Sequence, residues 1–140
     1  MENRFKFRVW DKAMGRMGEV EKIEFALGNN PTQIVAHYGN GDKWGDSPDN
    51  LILMQCTGLK DKNGTLIFEG DVLIHDFDEE NPEPVVWDKD GFYVGLKGKE
   101  DGCPLASHIN HRFFTINGVY ENNTVIIGNI HANPESMKGE

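Results

Sequence analysis

The residues best suited to binding a metal are Cys103, His108 and His111. The two histidines are three positions apart, a spacing that a helix turns toward one face. Cysteine and histidine are zinc ligands, and three protein ligands would leave one coordination position open for catalysis. The segment has no HExxH motif and no glutamate within it to act as a base. A metal-dependent hydrolase is therefore one hypothesis, the alternative is that these are loop residues, and no cofactor is predicted.

Two pairs of carboxylates, Glu69 with Asp71 and Asp88 with Asp90, have a spacing that could serve acid–base chemistry. Such chemistry needs two carboxyl groups with well-separated pKa values. Both pairs lie at predicted turns, where aspartate often accepts hydrogen bonds from its own backbone. The sequence also lacks a Walker loop and a GxSxG elbow. We therefore assign no catalytic residue and favour a protein that is not an enzyme.

The first predicted strand carries the main candidate binding surface. Arg4, Lys6 and Arg8 alternate with apolar residues, and an alternation of period two puts the three cations on one face. Trp10 could stack on nucleic-acid bases beside them, and Trp44 is a further candidate binding residue. The alternatives are a solvated basic face that pairs with the protein's own carboxylates, and a Trp44 that anchors the core or an interface.

The charge of the chain limits its partners. The 140 residues include 14 basic and 23 acidic side chains, for a net charge of -9. This excess of acid disfavours nucleic acid and anionic membranes, both of which attract cations, and it permits a basic partner. We predict an unknown protein partner and no membrane partner, and we leave homo-oligomers open. With no signal-peptide pattern and only two isolated cysteines, we expect a cytoplasmic protein.

Short alternating or apolar runs, separated by glycine, proline and asparagine, predict seven to ten strands and little helix. The segment Thr57–Ile74 predicts a hairpin with a type I′ turn at Asn63-Gly64 and with Leu59 opposite Phe68. Lys43–Asn50 and Asp76–Pro84 are predicted loops, and Pro104–Phe114 is predicted as either helix or strand. The fold prediction is a mainly β, small antiparallel barrel or sandwich that forms a single domain over residues 1–140.

Four blocks of the chain together resemble the YopX family, whose members occur in phages and prophages. They are FKFRVWDKAMGRM (Phe5–Met17), LMQCTGLKDKNGTLIFEGDVL (Leu53–Leu73), PVVWDKDGFYV (Pro84–Val94) and VIIGNIHANPE (Val125–Glu135). The resemblance implies a largely β fold and supplies no catalytic residue to transfer. The leading hypothesis is a non-enzymatic phage or prophage accessory protein that binds another macromolecule in the host cytoplasm. The alternative is single-stranded nucleic-acid binding on a small β-barrel.

Overall fold

The computed structural model describes residues 5–28, 30–75, 78–88, 91–94 and 124–138. These residues contain ten strands, and their helical segments are two 3-10 turns, Pro48–Asn50 and Pro134–Lys138. The prediction of a mainly β fold with little helix is confirmed. The strands are β1 (Phe7–Asp11), β2 (Arg16–Phe25), β3 (Pro31–Tyr38), β4 (Lys43–Asp46), β5 (Leu51–Lys60), β6 (Leu66–Phe68), β7 (Asp71–His75), β8 (Asp78–Asp88), β9 (Gly91–Val94) and β10 (Thr124–Asn129).

The strands form two antiparallel sheets, with the orders β4-β3-β2-β1-β5-β6 and β10-β7-β8-β9. Within the described residues neither sheet closes on itself, so two open sheets fit the sandwich alternative of the prediction better than the barrel. The chain divides into two compact units, Met1–Cys56 and Thr57–Glu140, and β5 runs through the boundary. A single folding domain over residues 1–140 stays a prediction.

Each unit has its own buried apolar cluster. In the first unit, alternate residues of the central strands point inward, and Val9 and Ala36 have no exposed surface. The first cluster contains Val9, Ile34, Ala36, Tyr38 and Leu51, and the second contains Ile67, Leu73, Val85 and Phe92. In β1 the period-two pattern of the sequence therefore agrees with the buried position of Val9.

The hairpin that begins the second unit has a different register from the predicted one. The Asp61 N–H donates to the Thr65 carbonyl (2.8 Å), and the Gly64 N–H donates to the Asp61 carbonyl (3.0 Å). The loop is therefore three residues long, with Gly64 at a positive φ of 86°, and not a two-residue type I′ turn. With Asp61 opposite Thr65, Leu59 lies opposite Ile67, and it packs against the cluster that contains Ile67. The predicted pairing of Leu59 with Phe68 is therefore wrong.

The Asp61 side chain explains this register. Its Oδ1 accepts hydrogen bonds from the N–H groups of Asn63 (2.9 Å) and Thr65 (3.0 Å), which wraps the loop around the carboxylate. A shift of one residue moves every side chain of a strand to the opposite face. The choice of loop therefore decides which residues of β6 enter the core.

Two predicted loops contain strands. Lys43–Asp46 is strand β4, because a tight turn with Gly41 at a φ of 90° returns the chain against β3. The acidic segment predicted as a loop lies mostly within β8, which pairs with β7 on one side and β9 on the other. In both cases, pairing with a neighbouring strand outweighs a local sequence with low strand propensity.

Candidate functional site

The structure places Arg8 and Trp10 at alternate positions of β1, on one face of the sheet, and Trp44 on the other face. Arg4 lies outside the described residues, Lys6 is exposed, and Arg8 and Trp10 are half-buried. Trp44 pairs with Ala36, which pairs with Val20, and this register puts Trp44 on the same face as Val9. Trp10 follows Val9 and so lies on the opposite face. The two tryptophans do not form a common platform, and single-stranded nucleic-acid binding stays a prediction.

The most accessible aromatic residue of β1 to β5 lies on the edge strand β4. Trp44 is 60% exposed, although its pairing partner Ala36 is fully buried. Within the described residues, β4 pairs with β3 alone and forms one end of its sheet. A large exposed aromatic on a free strand edge is a common feature of protein-binding surfaces.

The hydrogen bonds of the β3–β4 hairpin show which backbone groups of β4 point away from β3. The Tyr38 N–H donates to the Asp42 carbonyl (2.9 Å), and hydrogen-bonded pairs alternate with non-bonded pairs along an antiparallel ladder. Trp44 and Asp46 therefore bond to β3 through their backbones. The N–H and C=O groups of Lys43 and Gly45 point toward the free edge, two residues apart.

The side chains of β4 differ between its two faces. Trp44 and Asp46 lie on one face of β4, and Asp42, which precedes β4 and bonds to Tyr38 through its carbonyl, occupies the next alternate position. On the opposite face, the Lys43 Nζ lies 3.2 Å from the Glu21 carboxylate, which also hydrogen-bonds His37 Nε2. The hydrogen bond from His37, followed by that from Lys43, lowers the pKa of the Glu21 carboxyl. This second face is therefore locally charge-balanced.

The carboxylates beside Trp44 are only partly neutralised. Asp46 Oδ1 accepts hydrogen bonds from the Ser47 N–H (2.7 Å) and from Asn50 Nδ2 (2.9 Å), and no described cation forms an ion pair with it. Asp42 Oδ2 lies 3.3 Å from an Arg16 guanidinium nitrogen and keeps a side chain that is 48% exposed. The Trp44 face of the edge is thus acidic on both sides of the indole.

The side chains of Arg16 and Tyr38 contact each other beside the turn that leads into β4. The Arg16 guanidinium lies 3.9 Å from the centre of the Tyr38 ring, and its Nε lies 3.4 Å from Asp11 Oδ2. Gly18 leaves the space for this ring, because a Cβ built at position 18 would lie 2.5 Å from a Tyr38 ring carbon. The edge strand therefore begins at a well-packed hairpin and not on a free loop.

Tyr38 is expected to ionise only at unusually high pH. Burial raises the pKa of its phenol, the Asp11 and Asp46 carboxylates raise it further, and Arg16 partly opposes them. Because the folded pKa exceeds the unfolded value of about 10, the contribution of Tyr38 to stability is complete below that pH. It is lost as the pH rises through the folded pKa. Tyrosinate absorbance should show a late ionisation step that disappears in Tyr38→Phe; identical titrations would contradict the assignment.

The predicted zinc ligands Cys103, His108 and His111 lie outside the described residues. Within the ranges that the structure does describe, no group of three histidine, cysteine or acidic side chains is arranged to hold a metal ion. Asp71, from one of the two carboxylate pairs, is 2% exposed. Its Oδ2 accepts a hydrogen bond from the Phe68 N–H (2.8 Å), as the turn interpretation predicts.

The sequence did not single out Gly45 or Asp46. The signal that could have found them is the Gly39–Asp42 turn, which reverses the chain directly after β3. A hairpin at that position makes the following residues a strand partner of β3, and no other described strand pairs with their outer edge.

No helix within the described part of the chain is long and apolar enough to cross a membrane.

Two of three comparisons with known proteins found a match that spans most of the chain. The model of the YopX protein family matches residues 6–138. A crystal structure of protein EF1440 from Enterococcus faecalis is similar to this chain with a TM-score of 0.68 and 28% sequence identity, and the similarity covers 94% of this chain and 96% of that one. No curated protein matches the sequence significantly.

Proposed function

This chain belongs to the YopX family, and we propose that it is a non-enzymatic phage or prophage accessory protein that binds another protein. In this proposal it acts in the cytoplasm of the host cell, and the outer edge of β4 is the binding site. The observation that carries the proposal is Trp44, 60% exposed on an edge strand that pairs with one neighbour among the described strands.

The edge offers both affinity and specificity to an extended segment. The outward N–H and C=O groups of Lys43 and Gly45 can add one strand to the sheet, which is the usual mode of β-strand addition. Trp44 stands between them and supplies the kind of large aromatic contact that dominates binding energies in protein interfaces. A partner strand would therefore gain main-chain hydrogen bonds and one apolar anchor at the same place.

The buried carboxylates support a binding protein over an enzyme. Asp11, Asp61 and Asp71 are at most 6% exposed, and each accepts backbone N–H groups of its own turn. A carboxylate held by such donors is stabilised in one place and is not directed at a substrate. These aspartates therefore have a structural explanation that does not involve catalysis.

We expect Gly45→Pro to abolish or strongly weaken strand addition while leaving the fold intact. Proline removes the outward N–H of residue 45, and an edge strand tolerates this because the group does not bond to β3. Peptides would be selected from a random display library on the wild-type protein, and their affinities would be measured by calorimetry. Losing one bond and leaving a peptide carbonyl unsatisfied should weaken binding about tenfold or more.

The matched control is Gly45→Ala. A Cβ at position 45 would lie 2.9 Å from Gln33 Nε2, the end of a flexible side chain, so alanine and proline share this steric change. Alanine keeps the N–H and should bind nearly as the wild type does. Urea unfolding of both variants would verify that they are folded. The proposal is wrong if the selected peptides bind Gly45→Pro as tightly as they bind Gly45→Ala.

A further inference from the structure

The chemistry of the β4 edge also identifies the kind of segment that it binds. Resting on the proposed function, we infer that the partner is an extended segment with an apolar residue flanked, two positions away on each side, by lysine or arginine. The juxtaposition that carries this inference is Trp44 between two carboxylates at alternate positions, Asp42 immediately before β4 and Asp46 at the end of β4.

A strand that pairs with β4 would place alternate side chains opposite these three residues. Residues opposite one another in adjacent strands lie close together on the same face, and opposite charges there stabilise the pair by about 0.2–1 kcal/mol. A cation opposite Asp46 would meet a carboxylate that has no described ion pair, and a cation opposite Asp42 would meet one that shares the Arg16 guanidinium with Asp11. An apolar side chain opposite Trp44 would cover an indole that is 60% exposed.

The opposite face of β4 does not change this preference. Lys43 is the cation of that face, and its Nζ already lies 3.2 Å from Glu21. Its charge is therefore balanced before any partner arrives. On the Trp44 face, by contrast, Asp46 accepts hydrogen bonds from neutral donors, and no described cation forms an ion pair with it. The local field at the edge consequently favours a basic segment over an acidic one.

A second copy of this chain is a poor occupant of the same edge. A twofold dimer through β4 requires antiparallel strands with equivalent faces on one side. If Trp44 lay opposite Trp44 of the second copy, Asp42 would lie opposite Asp46 of that copy, and like charges at opposing positions are destabilising. If Gly45 lay opposite its own equivalent, Trp44 would lie opposite a carboxylate. The net charge of -9 per chain adds repulsion at low salt.

Peptides are selected from one random display library on each of three folded proteins, and the selected sequences are compared. These are the wild type, the double variant Asp42→Asn with Asp46→Asn, and the control Asp49→Asn, which removes a negative charge outside the strand. Asparagine keeps an acceptor oxygen for the Ser47 N–H and for Arg16. The wild type and the control should enrich lysine and arginine at the two flanking positions, and the double variant should lose this enrichment.

Affinity gives a second readout. A selected peptide should bind the wild type about tenfold more tightly than its counterpart with both cations replaced by glutamate, and the difference should shrink as salt is added. If the selected peptides show no preference for basic residues but bind Gly45→Pro more weakly than the wild type, this inference is wrong and the proposed function stands. Enriched peptides that are insensitive to Gly45→Pro would overturn both. If the wild type forms a dimer and Gly45→Pro is a monomer, the edge binds a second copy of this chain instead.

Discussion

Asp61→Ala is expected to lower the free energy of unfolding by about 4 kcal/mol, because hydrogen bonds to a charged group contribute about 1.5–3 kcal/mol each. The buried carboxylate accepts three backbone N–H groups, from Asn63 (2.9 Å), Thr65 (3.0 Å) and Ile126 (3.1 Å). Alanine would leave these donors without an acceptor, in a site where the residue is 6% exposed. Urea unfolding followed by circular dichroism would measure the change.

Two further variants separate the carboxylate's hydrogen bonds from its charge. Asp49→Ala removes an exposed aspartate whose side chain makes no described hydrogen bond, and it should change stability by less than about 0.5 kcal/mol. Asp61→Asn keeps the acceptor Oδ1 but turns an amide N–H toward the Ile126 N–H. Its free energy of unfolding should therefore fall between those of the other two variants. If Asp61→Ala unfolded at the same urea concentration as Asp49→Ala, the bonding role assigned to Asp61 would be wrong.

Asp61 also shows why the hairpin could be located in the sequence while its register could not. The apolar runs on either side of Asn63-Gly64 indicate two paired strands, and both exist. The Asp61 carboxylate that shapes the loop accepts two local N–H groups, from Asn63 and Thr65, and a third from Ile126, 65 positions away. A local turn preference cannot represent that contact. The loop adopts the conformation in which one carboxylate accepts N–H groups both from its own turn and from β10.

The edge strand was missed for a different reason. Lys43–Asp46 is four residues long and contains a glycine, so its own sequence indicates a loop. Its strand conformation comes from pairing with β3, whose Ile34 and Ala36 are recognisable as core positions. Trp44 was found by its residue type alone. Its separation from Trp10 follows from the pairings of β1 to β4, which no single segment encodes.

The segment around Gly70-Asp71 is among the most recognisable parts of the sequence, and its residues are explained by folding. Gly70 has a positive φ of 89°, which favours glycine. Its N–H donates to the Val85 carbonyl (2.8 Å), and its carbonyl accepts from the Ile130 N–H (2.9 Å). One turn thereby joins β8 and the end of β10. Family resemblance at such positions reports a shared fold and does not by itself indicate a functional site.

Asp71 and Asn129 are expected to act as one stabilising unit. Asp71→Ala should cost about 3 kcal/mol, and Asn129→Ala about 2 kcal/mol. Asp71 Oδ1 accepts from Asn129 Nδ2 (3.3 Å), and Asn129 Oδ1 accepts from the His131 N–H (2.9 Å). Because each side chain positions the other in a buried site, the double variant should cost about 1 kcal/mol less than the sum. Urea unfolding of the four proteins would give this coupling energy.

Asn63→Ala is the matched control, since it removes an exposed asparagine at a loop tip and should leave stability nearly unchanged. Strictly additive effects of the two buried substitutions would contradict the proposed unit. A stable Asp71→Ala protein would be still more informative. Residues kept for function are often poorly optimised for stability, so an Asp71 that contributed nothing to folding would become a candidate for chemistry. A large loss of stability would instead assign Asp71 to the fold and agree with the proposal that the β4 edge is the binding site.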